Sequence, residues 1–420
     1  MNHCKCKFNL NLPLFIATRM QKTGHYKSSV SGRIIKIAII TIAISMGMIL
    51  ISVSSGKGLQ MEIKKKTTAF NGHLQIVPFE NNQSEISISP IIDSIEIKKK
   101  VEKRPEVVHV HGTATKASII KNKDNFEGVF YKGVDIDYRW EYLENFLDEG
   151  TVPNISDQIS NEVIISKEIS DRIKIELGSY IDAYFYENIN QNYPNIRKLK
   201  VVGFFSTGFP EIDKSFIIGD IKNIKSINKW EENHIGNYEV FLSDINFIDK
   251  IGNIIYNDLP SNLDVLGLPQ KYPDVFQWIS LFDFNIFIIF IIMIIVGIVN
   301  TSSAILILIL ERSKMIGLLK SIGSNNLLIQ KVFIWNGISI IGYGLFWGNL
   351  IGLSFYFSQY YFKWIKLDPK IYYADYVPVF LNFSDVIFFN LLFLIISVVL
   401  LCLPIIIIGR ISPAKVLRFN

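Results

Sequence analysis

Hydrophobic positions along the chain follow two different rhythms. Four stretches, residues 34–54, 284–310, 333–357 and 386–409, are almost free of charge. Each reaches the roughly 20 residues that an α-helix needs to cross about 30 Å of hydrocarbon, so each is predicted to be a transmembrane helix. Between the first two the rhythm shortens. Residues 72–78 read as a strand stopped at Pro78, residues 91–104 place Ile91, Ile92, Ile95 and Val101 at helical spacing ahead of Pro105, and residues 107–111 alternate as a strand. Residues 161–166 predict a strand leading into a helix over 167–177, with Gly178 as its C-cap. Two further strands, 181–186 and 199–205, are joined by a polar loop, 187–198, that contains Pro194. This alternation of short strands and helices indicates an α+β domain. The basic stretch 55–66 keeps helix formers, which predicts that the first helix continues beyond its apolar part.

Composition supports the membrane reading, since 49% of the 420 residues are hydrophobic and 19% charged, against about 25% charged in an average soluble domain. Charge then gives the direction of insertion. Lys5, Lys7, Arg19, Lys22, Lys27 and Arg33 precede the first apolar stretch with no acidic residue among them. The positive-inside rule therefore assigns 1–33 to the cytoplasm, together with the loop 311–332 and the tail 410–420, both of which carry an excess of Lys and Arg. Residues 55–283 hold 26 basic and 34 acidic side chains in a chain of net charge +5, which places them on the opposite side. The loop 358–385 is charge-balanced and rich in Tyr and Trp, as an interfacial segment on that same side would be. The first stretch is too long for a signal-peptide core and no small-x-small site follows it, so it reads as an uncleaved anchor. The expectation is an α-helical integral membrane protein with four transmembrane helices and a large α+β periplasmic domain between the first and second. No cysteine falls within 55–283, so that domain is held by its own core and not by disulfides.

Residues able to carry chemistry are few. There is no G-x-x-x-x-G-K-[ST] phosphate loop, no G-x-S-x-G elbow and no H-E-x-x-H pair, so an enzyme is the least favoured class. His109 and His111 share a strand face without a third ligand nearby, and an ordinary strand pair outweighs a metal site. Cys4-x-Cys6 lacks the second ligand pair that zinc needs. Asp135 and Asp137 read as a solvated strand face. Within the apolar stretches, Asn300, Asn336 and Asn349 are expected to face protein or a cavity. Gly344, Gly348 and Gly352 line one helical face where two backbones approach, either inside the chain's own bundle or between subunits. The loop 311–324 places Ile316, Leu319 and Ile322 at spacing three, which predicts a short amphipathic helix with Lys314 and Lys320 turned to water and Gly323 as its end. That helix either lies on the membrane surface or docks into a soluble partner.

These residues resemble the permeases of ABC systems of the FtsX and MacB type, and most closely the lipoprotein-releasing LolC/LolE family. The loop is similar to the family's E-[RK]-x-x-E-I-x-[LI]-L-[RK]-[AST]-x-G signature through Glu311, Arg312, Ile316, Leu318, Leu319, Lys320 and Gly323, with Met315 where the family usually has Glu, and Gly317 lies within the same coupling segment. Phe15-Ile-Ala-Thr-Arg19, Ser52-Val-Ser-Ser-Gly56, Val201 to Asp213 (V-x-G-x-F-x-T-G-x-x-E-x-D) and Pro413 to Arg418 resemble further family motifs, in the family's order. The resemblance implies a permease subunit without its own nucleotide-binding domain. ATP and Mg would be bound by a separate LolD-like ATPase that couples through 311–324, so no cofactor is expected on this chain. A second permease chain, identical or paralogous, would complete the membrane part. The substrate would be a lipoprotein drawn from the outer leaflet of the bacterial inner membrane into a cavity lined by the first two spans and handed to a periplasmic LolA-like carrier. Gln191, Asn192, Tyr193 and Pro194 fall where one branch of the family carries a carrier-binding hook. Mechanotransmission for efflux of a peptide or drug, or for control of a cell-wall hydrolase, is the alternative within the same superfamily. Membrane lipid is an implied partner and nucleic acid is not.

Overall fold

The computed structural model describes residues 30–82, 84–186 and 193–406, with Pro13 and Ile408. They divide into two compact units. One is helical and takes the described residues up to Leu59, Ser280–Ile365 and those from Val377 onward; the other is Gln60–Ile279 with Lys366–Tyr376. Helix α1, Val30–Asn71, belongs to both. Its 42 residues are about twice what a bilayer core requires at about 1.5 Å per residue. The helix persists because Leu59 and Ile63 remain buried after the apolar run has ended.

The mixed unit is built on strands β1 (Leu74–Pro78), β2 (Ile91–Ile92), β3 (Val107–Asn122), β4 (Asn125–Val134), β5 (Leu147–Gly150), β6 (Glu162–Ser166), β7 (Tyr180–Phe185), β8 (Asn195–Phe205), β9 (Phe216–Asp220), β10 (His234–Ile235), β11 (Asn237–Leu242) and β12 (Leu263–Gly267). Nine of them form the path β12-β1-β11-β3-β4-β9-β6-β8-β5, and β7 pairs with both β3 and β8. The β4–β9 and β6–β8 pairs are parallel. Helices α2 (Ile95–Glu102), α3 (Lys167–Ile173), α4 (Ile221–Asn228) and α5 (Ile248–Asp258) are the longer helices lying wholly within the unit. Ile169, Ile173, Ile221, Ile224, Ile251 and Ile255 from these helices join Val110, Tyr131, Ile165 and Val201 of the sheet in one core. Three differences from the sequence expectation have local causes. Ile91 and Ile92 pair with β10, so the helix starts only at Ile95. Strand β3 runs on to Asn122 because Gly112 and Ala114 are buried small residues, Gly112 lying directly beneath Ile235. Helix α3 stops at Ile173, where Lys174 turns left-handed (φ 55°) and Ser170 donates its hydroxyl to the Ile175 carbonyl at 2.8 Å.

The helical unit adds α6 (Pro273–Glu311), α7 (Ser313–Ser321), α8 (Asn326–Phe362) and α9 (Phe383–Ile405) to α1. Four of these, α1, α6, α8 and α9, are long and apolar enough to cross a membrane. Along α1, Ile35, Ala38, Ile42, Met46, Ile49 and Val53 recur every three or four residues and form the stripe that packs against the other helices. Ile37, Ile40 and Ile44 point away from it and are exposed. An apolar outer face of that kind suits hydrocarbon as solvent.

Candidate functional site

Helix α7 is the loop segment whose signature the sequence singled out. Ile316 and Gly317 are buried, and Leu319 packs against the bundle core. Lys320 is not turned to water: its Nζ donates to the Ile408 carbonyl at 2.8 Å. Ile322 is not part of the buried stripe either. It lies just past the helix, its N–H bonded to the Leu318 carbonyl at 3.2 Å, and at 76% exposure it shares the outward side with Leu318 at 53%. The spacing of three had placed Ile322 inward, but the chain leaves the helix at Ser321, with Gly323 left-handed (φ 93°) as expected of an end residue. Glu311 is exposed and Arg312 half-buried at the junction between α6 and α7. This helix therefore anchors one side on the bundle and offers two neighbouring aliphatic side chains outward.

The three glycines of α8 have an intrachain answer. A Cβ at Gly344, Gly348 or Gly352 would lie 2.5 Å from Ile42, 2.6 Å from Met46 and 2.7 Å from Leu50 respectively. Four-residue spacing on both helices brings α1 and α8 together at backbone distance, so this face is filled from within the chain. Two polar links hold the bundle as well. Asn349 and Asn390 exchange amide hydrogen bonds of 2.7 and 2.8 Å between α8 and α9. Lys57 of α1 meets Asp385, at the start of α9, at 2.7 Å. The polarity of Asn349 within an apolar run was the available signal; Asn390 and Asp385 carried none without knowledge of which helices meet.

In the mixed unit, β7 and β8 form the expected hairpin, with β8 beginning earlier, at Asn195. Gln191 and Asn192 lie outside the described residues, while Tyr193 is 82% exposed at the hairpin's tip and Pro194 is half-buried. His109 and His111 do share a face, with ring centroids 5.1 Å apart. His111 is fully buried, unlike an ordinary half-exposed strand residue, with Nε2 3.1 Å from Glu239. Lys132 Nζ reaches the same carboxylate at 2.7 Å. Burial alone would raise the Glu239 pKa, but the Lys132 ammonium and the His111 hydrogen bond outweigh it and hold it at about 2. Burial lowers His73 and His109 to about 4, so both are neutral near pH 7. Among the described residues no three His, Cys, Asp or Glu side chains gather as a metal site would need. Asp135 and Asp137 face Lys225 at 3.6 Å and Lys98 at 3.1 Å.

Residues 287–413 match the FtsX-like permease C-terminal family. Over longer spans the chain is 20% identical to the lipoprotein-releasing system transmembrane protein LolE of Haemophilus influenzae, covering 97% of this chain and 99% of that one. It is 23% identical to the LolC protein of Buchnera aphidicola subsp. Schizaphis graminum, covering 91% and 93%. Among solved structures, the periplasmic region of MacB from Actinobacillus actinomycetemcomitans matches 48% of this chain and 91% of its own at 13% identity and a TM-score of 0.33. The extracellular domain of the noncanonic ABC-type transporter YknZ from Gram-positive bacteria matches 46% and 99% at 14% identity and a TM-score of 0.31. The segment from α6 through α9 thus matches the FtsX-like permease C-terminal family, and the chain is similar along nearly its whole length to LolE and LolC permeases.

Proposed function

We propose that this chain is the permease subunit of an ABC system that releases lipoproteins from the outer leaflet of the bacterial inner membrane. Similarity to LolE and LolC from end to end, with the α+β domain inserted between the first and second apolar helices, carries the reading. In it, α1, α6, α8 and α9 cross the membrane with both chain ends in the cytoplasm, as the clusters of Lys and Arg require. The α+β domain then lies in the periplasm. ATP and Mg bind a separate ATPase, which docks on the outward side of α7 through Leu318 and Ile322 while Ile316, Gly317 and Leu319 root the helix in the bundle. A second permease chain, identical or paralogous, completes the membrane part. Residues 191–194, in the connection between β7 and β8, contact the soluble carrier.

The physical task explains the need for ATP. Drawing a lipid anchor from a bilayer costs about 0.8 kcal/mol for each CH₂ exposed, so a few acyl chains exceed thermal energy many times over unless an apolar surface receives them. Exposed Phe284, Phe287, Ile291 and Ile295 on α6 are the kind of surface acyl chains accept. Docking on α7 is tested by co-purifying the chain with its ATPase from membranes. Leu318→Glu with Ile322→Glu keeps the buried side of α7 intact and is expected to reduce ATPase recovery at least tenfold. Undiminished recovery would remove α7 from the docking surface.

A further inference from the structure

The mixed unit encloses a cavity of about 310 Å³, at the small end of the roughly 300–1,000 Å³ of small-molecule sites. Its wall is made by Phe70 at the end of α1, Gln75 of β1, Ser87, Lys132 of β4, and Asn237 and Glu239 of β11. Each of these is at most 9% exposed. Lys271 and Glu85 line it too, both half-buried. Most small-molecule pockets are apolar with a few polar groups; this one reverses the proportion, and a buried polar group that lacks a partner is costly. The hydrogen bonds around it therefore show what the cavity would take.

The deep acceptors are already used. Glu239 Oε1 takes Lys132 at 2.7 Å and the Thr113 hydroxyl at 3.3 Å, and Oε2 lies 3.1 Å from His111 Nε2. Gln75 Oε1 accepts from Lys271 at 3.1 Å, and Ser87 Oγ accepts from the Thr115 N–H at 3.0 Å. Donors are left over. An ammonium has three N–H groups; Lys132 spends one on Glu239 and one on the Phe70 carbonyl. Among the described residues its third meets only ring faces, Phe70 at 4.4 Å and Tyr138 at 5.8 Å, weaker partners than an oxygen. Asn237 Oδ1 accepts from the Thr113 hydroxyl at 3.2 Å, while its amide nitrogen has no hydrogen-bond partner among the described residues. Lys271 divides two N–H groups between Gln75 and Glu85, the latter at 3.0 Å. Against these donors stands one buried, unpartnered acceptor, Asn82 Oδ1. Charge narrows the choice. Each ammonium already has a carboxylate beside it, so a dianion would be repelled by Glu239 and Glu85, and a neutral molecule would forgo the charge-assisted bonds that Lys132 and Lys271 can still make. We infer that this cavity binds a small monocarboxylate, whose two oxygens accept from Lys132, Asn237 and Lys271 and whose carbon chain lies against Phe70 and Phe216. Those two rings meet edge to face at 5.0 Å and supply the cavity's apolar wall. The site lies wholly within the mixed unit and is independent of the permease reading.

The test needs neither ATP nor a lipoprotein. Calorimetric titration of the full-length chain in lipid nanodiscs, at pH 7 and constant ionic strength, compares acetate with acetamide, its neutral isostere, and with sulfate, a dianion. Acetate is expected to bind saturably, and the other two about tenfold more weakly or less, as the loss of a charge-assisted hydrogen bond implies. Bound acetate should also slow amide exchange in peptides spanning 130–134 and 236–240, a wild-type readout that locates the site without any variant. Lys271→Met, which leaves Glu85 half-exposed to water, should weaken acetate binding about tenfold. Lys250→Met removes the same charge from α5, away from the cavity wall, and should leave binding unchanged. No saturable acetate binding by wild type would mean that the cavity holds water only and overturns the inference. Sulfate or acetamide binding as well as acetate overturns the monocarboxylate class. Acetate binding that survives Lys271→Met undiminished, or that protects neither peptide, removes the ligand from this cavity.

Discussion

Lys132 and Glu239 meet at 2.7 Å with both side chains 2% exposed, and His111 shares the carboxylate. Such a pair is costly to break and cheap to replace whole, because a lone buried charge has neither water nor partner. Glu239→Gln is therefore expected to destabilise the α+β domain by about 3–5 kcal/mol, whereas Lys132→Met with Glu239→Leu should cost much less; thermal unfolding of both variants decides it. Nearby titrations make stability depend on pH. His73 and His109 have native pKa values of about 4 against 6.5 when unfolded. Between those values the unfolded chain binds protons that the native one refuses, so stability falls as pH drops from about 6.5 to about 4. Glu239, held at about 2 against 4.5, extends the loss to lower pH. Unfolding temperature should accordingly be lower at pH 4.5 than at pH 7, and His109→Phe should flatten the slope between them.

At the scale of elements, α1 against α8 is the contact on which the bundle turns. Gly348→Leu would drive a side chain into Met46 and the Ala43 carbonyl, 2.6 and 2.8 Å from its Cβ. An overpacked contact costs about 1–3 kcal/mol, so the variant's melting temperature in detergent should fall, while the exposed and unobstructed Gly342→Ala should leave it unchanged. The four apolar helices were legible in the sequence because long uncharged runs stand out in hydropathy, although α1, α6 and α8 extend well beyond those runs. The hairpin β7–β8 was legible from two apolar runs and a polar interval. Less could be read where meaning depends on a partner element. Lys320 looks like a solvated lysine until Ile408 is placed beside it. Gly112 and Ala114 look like weak strand residues until Ile235 covers the first and Gly236 lets the backbone close over the second. Ile322 kept the helical spacing but not the helix. The Thr207–Asp213 turn was visible as a pattern, but its neighbours were not, because Lys66 and Tyr373, which meet Gly208 and Phe209, are far from it in sequence.

For the whole molecule, two units share α1, α6 and the excursion between α8 and α9, so neither is a self-contained stretch of sequence. Under the proposed function, such threading suits a permease whose ATP is hydrolysed by a separate subunit. The most direct measurement is single-turnover transfer of a triacylated protein from nanodiscs holding the permease and its ATPase to a soluble carrier added outside. The account predicts transfer that requires ATP hydrolysis and is lost with Leu318→Glu and Ile322→Glu. An ATPase that binds and turns over while the acylated protein stays in the bilayer, at saturating carrier, would contradict it.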